Sequence, residues 1–210
     1  MTLLHLLKQC HKHYQCKLFL TSYLGHSYHH NQDIDSYKSR AHMSTLPNTG
    51  ESHLILVTDI NGNVNVTRFG NRNDGAGGFI DITQNAQSIV FSGTLTGGGL
   101  EVSIEQGTLR IEKEGRIKKF VPQVNQISFS GQRALEHGID VLFVTERAVF
   151  RMTKAGIEIS EVAPGIDIEQ DVVPHIPFPI KIAQTIKTMD SRLFYEGQMG
   201  IRDYILSRTG

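Results

Sequence analysis

Several short groups of residues in this sequence are of types that do chemistry. Gly75-Ala76-Gly77-Gly78 is a glycine turn, and backbone without Cβ atoms takes positive φ and comes close to a ligand. Such clusters also close sharp turns between strands, which is their commoner use. Arg116, Lys118 and Lys119 are cations close together in the chain. They suit phosphate groups, and equally a solvated surface run. Thr145-Glu146-Arg147-Ala148 sets opposite charges side by side, and a structural ion-pair network is the ordinary outcome of that pattern. Near the start, Cys10, His11, His13 and Cys16 are potential zinc ligands. Their arrangement, Cys-His-x-His-x-x-Cys, lacks the paired spacing of known finger types, so no metal site is assigned.

The elements that must position these groups are mostly strands and turns. Leu54 to Thr58 and Val64 to Arg68 are strand candidates on either side of the turn Asn61-Gly62-Asn63. Ser88 to Ser92 and Asp140 to Thr145 are apolar and β-branched, as buried strands are. Leu100 to Glu105 and Thr108 to Glu112 flank Gln106-Gly107, and Val149 to Thr153 and Ile157 to Val162 flank Lys154-Ala155-Gly156. Both pairs read as hairpins. Helices are expected over Gly131 to His137, with Gly138 as a C-cap, over Asp167 to Val173, stopped by Pro174, and over Pro179 to Asp190. Strands mixed with helices point to an α/β or α+β layered fold.

Composition divides the chain in two. Eight of the ten histidines and both cysteines precede residue 54, and Gly25 and Gly50 are the only glycines before Asp59. Leu18 to Leu24 suits a helix or a strand, and no sustained period runs through Gly25 to Gly50. Residues 1–58 are therefore expected to be an atypical His/Tyr-rich leader, poorly ordered or frame-shifted, ahead of a domain over 59–210. Lysine plus arginine total 21 and so do aspartate plus glutamate, a balance that gives no reason to expect a nucleic-acid or membrane partner. The cysteines form no disulfide framework, Leu3 to Leu7 is no convincing signal peptide, and a cytoplasmic setting is expected.

Motifs in a fixed order sharpen this reading. They are Asn61-Gly62-Asn63-Val64-Asn65 through Gly70, Asp74 through Ile82, Phe91-Ser92-Gly93-Thr94-Leu95-Thr96-Gly97-Gly98-Gly99, Lys118-Lys119-Phe120-Val121-Pro122, Ile127-Ser128-Phe129-Ser130-Gly131, Thr145-Glu146-Arg147-Ala148-Val149-Phe150 and Ala163-Pro164-Gly165. In order and spacing the chain resembles the C-terminal half of family I coenzyme A transferases, the short-chain acyl-CoA:acetate and 3-keto acid type. The resemblance implies an α/β CoA-transferase (NagB/RpiA-like) domain, a mixed sheet with flanking helices, acting on a short-chain acyl-CoA and a carboxylic acid such as acetate, propionate or a 3-keto acid. Coenzyme A is then a co-substrate, and no other cofactor is implied.

The resemblance also implies a mechanism and roles. A glutamate attacks the thioester, and a glutamyl-CoA intermediate follows. The glycine turn supplies an oxyanion-hole amide, best Gly77, with Gly75 and Gly78 against the pantetheine arm. Asn65 helps position the nucleophile. Apart from the resemblance, the charge of Lys118 and Lys119 makes them candidates for the phosphates of coenzyme A. A nucleophilic glutamate belongs in a Glu-x-Gly turn about 70 residues upstream of the glycine turn, where this chain has Lys8-Gln9-Cys10-His11-Lys12. The first glutamate, Glu51, lies too close to the turn, so no catalytic nucleophile is assigned. The expected partner is an N-terminal half or a second copy. The alternative is a non-catalytic remnant or a CoA-binding partner subunit.

Overall fold

In the computed structural model of this chain, residues 19–21, 57–73, 75–84 and 86–195 are described. Their centre is a six-stranded mixed sheet built from β1 (Phe19–Thr21), β6 (Ser88–Ser92), β12 (Asp140–Val144), β13 (Ala148–Thr153), β14 (Gly156–Val162) and β15 (Lys181–Thr188), which neighbour one another in that order. β1, β6 and β12 run parallel, β13 and β14 alternate in direction, and β15 lies parallel to β14. Residues of β6 and β12 have apolar side chains on both faces, as parallel strands covered on both sides do.

One face carries the larger core. Ile89, Phe91, Val141, Phe143, Phe150 and Ile159 pack there with Phe79 and Ala134. Phe79 opens the short helix α1 (Phe79–Gln84), and Ala134 sits in α2 (Gly131–Glu136). The opposite face takes Val90, Leu142, Val144 and Val149 against Leu109, Leu193 and Phe194. Leu109 belongs to the hairpin of β8 (Glu101–Glu105) and β9 (Thr108–Lys113), and Leu193 and Phe194 to a 3-10 turn, Ser191–Phe194. The sheet is thus a middle layer between two apolar surfaces.

Smaller elements fill in around it. β2 (Val57–Asp59) pairs with β3 (Val64–Asn65) and with β11 (Phe120–Val121). β4 (Arg68–Phe69) and β5 (Arg72–Asn73) form a tight hairpin, and β7 (Thr96–Gly97) pairs with β10 (Ile117–Lys118).

The expected strands at Ser88 to Ser92 and Asp140 to Thr145, both hairpins and the helix at Gly131 are present. The β8–β9 turn has φ of 49° at Gln106 and 82° at Gly107, the geometry a two-residue hairpin loop requires. Three expectations need correction. The helix foreseen over Pro179 to Asp190 is strand β15. Ile182 and Ile186 stand four apart, as on a helix face, but Thr185, Ile186 and Thr188 are β-branched and the edge of β14 is open to pairing. Over Asp167 to Val173 the chain makes one wide π-type turn, Ile168–Val172, capped by the Asp167 carboxylate, then a 3-10 turn, Val173–His175. The single strand foreseen over Val64 to Arg68 breaks into β3 and β4. α1 was not foreseen, being too short to show a period. The cysteine and histidine group near the start lies outside the described residues, and the Leu54 to Thr58 strand is described from Val57 onward.

Candidate active site at the strand ends

The carboxyl ends of β6 and β12 lie side by side, with Ser92 opposite Val144. Both chains leave the sheet here, and the Gly93 amide still donates to the Val144 carbonyl at 3.0 Å. Ser92, Gly93 and Thr94 from one exit, Thr145 from the other, and Lys119 and Phe120 from β11 and its approach line a small pocket. Crevices at the carboxyl ends of parallel strands are the usual place for ligands in α/β sheets.

Lys119 and Lys118 are neighbours with opposite fates. Lys118 is exposed and donates to the Pro174 carbonyl at 3.2 Å. Lys119 is turned inward, 8% exposed, and its Nζ donates to Thr94 Oγ1 at 2.8 Å. Burial brings its ammonium down to about 8, a drop that the Glu146 charge limits. Arg116 pins the Gly97-Gly98-Gly99 turn instead, with Nε donating to the Gly98 carbonyl at 3.2 Å.

Behind Lys119 lies a charge network. Arg147 is fully buried. Its Nε donates to Glu146 at 2.6 Å, its NH1 to Glu114 at 2.7 Å and to the Asp171 carbonyl at 2.9 Å, and its NH2 to Glu114 at 3.1 Å. Glu146 accepts the Leu95 amide at 2.8 Å on its other oxygen. Glu114 also accepts from Thr96 Oγ1, from the Gly115 amide at 3.0 Å and stands 3.1 Å from His175 Nε2. Partial burial pushes the Glu114 carboxyl up, but the bonds from Arg147 and Thr96 and the Arg147 charge outweigh it and hold it at about 2. The network knots together the exit of β6, the turn after β9 and the start of β13. Both carboxylates are occupied as acceptors on each oxygen, so neither is poised as a nucleophile.

The glycine turn stands on the other side of Phe91. Gly77 has φ of 53°, and a Cβ on Gly75 or Gly77 would meet nothing within 4 Å. The Phe79 amide donates to the Ala76 carbonyl at 3.1 Å and closes the turn. The buried Phe79 ring then stacks on Phe91 at 6.2 Å, which anchors the turn to the same aromatic side chain that lines the pocket. Turn and pocket are thereby brought to one end of the sheet. Asn65 is spent locally. Its Oδ1 accepts the Thr67 and Arg68 amides, each at 3.0 Å, and its Nδ2 donates to the Arg68 carbonyl at 2.5 Å. It shapes the loop that breaks β3 from β4.

Sequence reasoning passed over Ser92, Glu114 and His175. Glu114 lies 33 residues from Arg147, and no local spacing announces such a pair. Ser92 reads as the last residue of a buried strand.

An α/β domain with a mixed sheet, an open glycine turn and a polar pocket at the strand ends is the class these features define. No family model matches the chain. Acetate CoA-transferase YdiF of Escherichia coli strain K12 is 45% identical to it over 142 residues, 68% of this chain and 27% of that protein. Caffeate CoA-transferase of Acetobacterium woodii is 43% identical over 152 residues, 70% and 29% of the two chains. Among solved structures, the acyl-CoA transferase YdiF apoenzyme from Escherichia coli O157:H7 superposes with a TM-score of 0.67 at 44% identity, over 69% of this chain and 28% of that one. Its thioester complex with CoA gives 0.66. Over the matched stretch the chain is homologous to part of these CoA-transferases. It spans little more than a quarter of the length of the curated relatives it matches, 27% to 29%. Among the described residues no helix is long and apolar enough to cross a membrane.

Proposed function

We propose that this chain forms the C-terminal side of a CoA-transferase active site, moving coenzyme A between a short-chain acyl-CoA and a carboxylic acid. The observation that carries the reading is the 45% identity to acetate CoA-transferase YdiF over the stretch that holds the open glycine turn. In this reading Gly77 offers its amide to the oxygen that becomes negative as a carboxylate attacks the thioester. Without that charge stabilisation each step of a glutamyl-CoA route is slow. In this reading the attacking glutamate comes from another polypeptide segment: Lys8-Gln9-Cys10-His11-Lys12 stands where the Glu-x-Gly turn belongs, and the two glutamates nearest the pocket network, Glu114 and Glu146, are both engaged by Arg147. Partners are therefore acyl-CoA, a carboxylic acid and a segment, or a second chain, that carries the nucleophile. Lys118 remains the candidate for a coenzyme A phosphate, being exposed, and the buried Lys119 serves the reacting end instead.

The test is complementation. The chain is co-purified with the part of YdiF that precedes the matched stretch, and CoA transfer from acetyl-CoA to propionate is followed. Turnover by the pair, none by the chain alone, and loss of turnover in Gly77→Ala is the expected result. A well-formed pair without turnover, or turnover by the chain alone that survives replacement of every glutamate, sinks the glutamyl reading. The other reading, a non-catalytic CoA-binding remnant, predicts heat on mixing with coenzyme A in a calorimeter and no turnover in any combination.

A further inference from the structure

Asn61 is the one asparagine in this chain that is followed by glycine. Such a pair is chemically fragile, because a glycine amide, with no side chain beside it, swings easily onto the preceding side-chain carboxamide. In this fold the pair is clamped. Asn61 is exposed, but Gly62 is buried. The Asn61 amide donates to Asp59 Oδ1 at 2.9 Å, and the Gly62 amide donates to the Asp59 carbonyl at 2.9 Å. The peptide between them lies so close to α2 that a Cβ on Gly131 would meet the Asn61 carbonyl oxygen at 2.2 Å. The Gly131 amide donates to Asn63 Oδ1 at 3.1 Å, and the Met152 side chain lies against both glycines. Ring closure needs the Gly62 nitrogen released from its hydrogen bond and the Asn61–Gly62 peptide free to turn. The closed turn forbids both.

We propose that Asn61 is a deamidation site held unreacted by the closed β2–β3 turn, which reacts when that turn opens, and whose isoaspartyl product keeps the turn from closing again. The inference does not rest on the CoA-transferase reading. In the first step the Gly62 nitrogen loses its proton and bonds to the Asn61 side-chain carbonyl carbon. The bond from that carbon to the side-chain nitrogen breaks, and ammonia leaves with the proton. Water then opens the cyclic imide. Opening at the side-chain carbonyl gives aspartate. Opening at the main-chain carbonyl gives isoaspartate, whose main chain runs through the side-chain methylene and is one carbon longer. Aspartate at 61 leaves the main chain as it was and its carboxylate in solvent. Isoaspartate puts the extra carbon where Asp59 and Gly131 leave no room, and packed interiors do not absorb a methylene freely. The damage reaches the strand-end pocket through β2. Thr58 lines that pocket, and its amide donates to the Lys119 carbonyl at 2.8 Å.

The experiment incubates the whole chain at mildly alkaline pH, folded and in urea, and follows the peptide that holds Asn61 by mass spectrometry, with aspartyl and isoaspartyl forms separated by chromatography. The folded chain is expected to react roughly tenfold or more slowly than the chain in urea, since only the opened fraction reacts. Gly131→Ala crowds the clamp and is expected to raise the folded-state rate about tenfold or more, whereas Gly138→Ala, at the far end of α2, leaves it within about twofold. Should Gly131→Ala fail to fold, Asn63→Ala opens the clamp by removing the acceptor of the Gly131 amide. The isoaspartyl form, isolated after incubation, is expected to exchange its amides over Lys118 to Val121 faster than the parent, and the encoded Asn61→Asp variant to match the parent. Equal rates in the folded and urea-unfolded chain, or a folded-state rate that the clamp variants leave unchanged, would show that the turn does not guard Asn61. An isoaspartyl form that exchanges like the parent would show that the turn closes over the longer main chain. Either result overturns the proposal.

Discussion

At the scale of single residues the site is a set of charges whose protonation follows from burial. Lys119 binds its proton less firmly when folded than when unfolded, falling from 10.5 to about 8, first because it is buried and despite the pull of Glu146. Between those values the unfolded chain holds more protons on this residue than the folded one, so stability rises with pH through that window. Below about 8 the penalty for burying the charge is present in full. Lys119→Met removes the titration. The difference in unfolding free energy between parent and Lys119→Met, measured by urea titration, is expected to shift in favour of the parent from pH 8 to 10.5 by up to about 3 kcal/mol. A difference that stays flat over this range would mean that Lys119 is solvated in the folded state. Neither lysine of Lys118-Lys119 differs from the other in type, and only the placement of β10 and β11 sends one to solvent and one inward. This is why the pair looked like one basic patch in the sequence.

At the scale of elements, local rules explain most of what was legible. Ser88 to Ser92 and Asp140 to Val144 read as buried strands because both faces are covered, and the hairpin turns at Gln106-Gly107 and Lys154-Ala155-Gly156 carry the turn residues their geometry needs. The Gly131 helix was legible from Gly138 behind it, at φ 66°, and the structure adds its Ser130 cap, which accepts the Arg133 amide at 3.3 Å. β15 was not legible, because pairing with β14 decides its conformation and a strand sequence does not name its neighbour. Its register jumps between Ile159 and Glu161, opposite Ile182 and Lys187, which erases the alternation that marks a strand. The close packing of Gly131 was also invisible. A Cβ there would meet the Asn61 carbonyl oxygen at 2.2 Å and Gly62 C at 2.8 Å, both backbone. Gly131→Ala is therefore expected to cost about 3 kcal/mol by pushing α2 off the β2–β3 turn. At Gly138 nothing lies within 4 Å of a Cβ, and Gly138→Ala costs only the strain of positive φ, about 1 kcal/mol. Thermal unfolding of the two variants measures the contrast, and equal losses would contradict the packing of α2 against that turn.

At the scale of the whole molecule, stability is unevenly spread, and this separates the parts that hold the site from those that only border it. β6, β12 and β13 are covered on both faces, with Ile89, Val141 and Phe150 fully buried. β15 shows mostly exposed or half-buried side chains on both faces, Ile182 among them at 42%. Amides exchange through local opening where few apolar contacts hold a strand, and through global unfolding where many do. The strand-end pocket and the Arg147 network hang on β6, β12 and β13, so the site belongs to the part that opens last. Hydrogen exchange read by mass spectrometry should find peptides over Val141 to Met152 protected to the level of global unfolding, with Lys181 to Thr188 exchanging far faster. Equal protection of the two would mean that β15 is held by contacts beyond its pairing to β14. The opposite order would place the stable core outside the central strands, and the site would then rest on the less stable part of the fold.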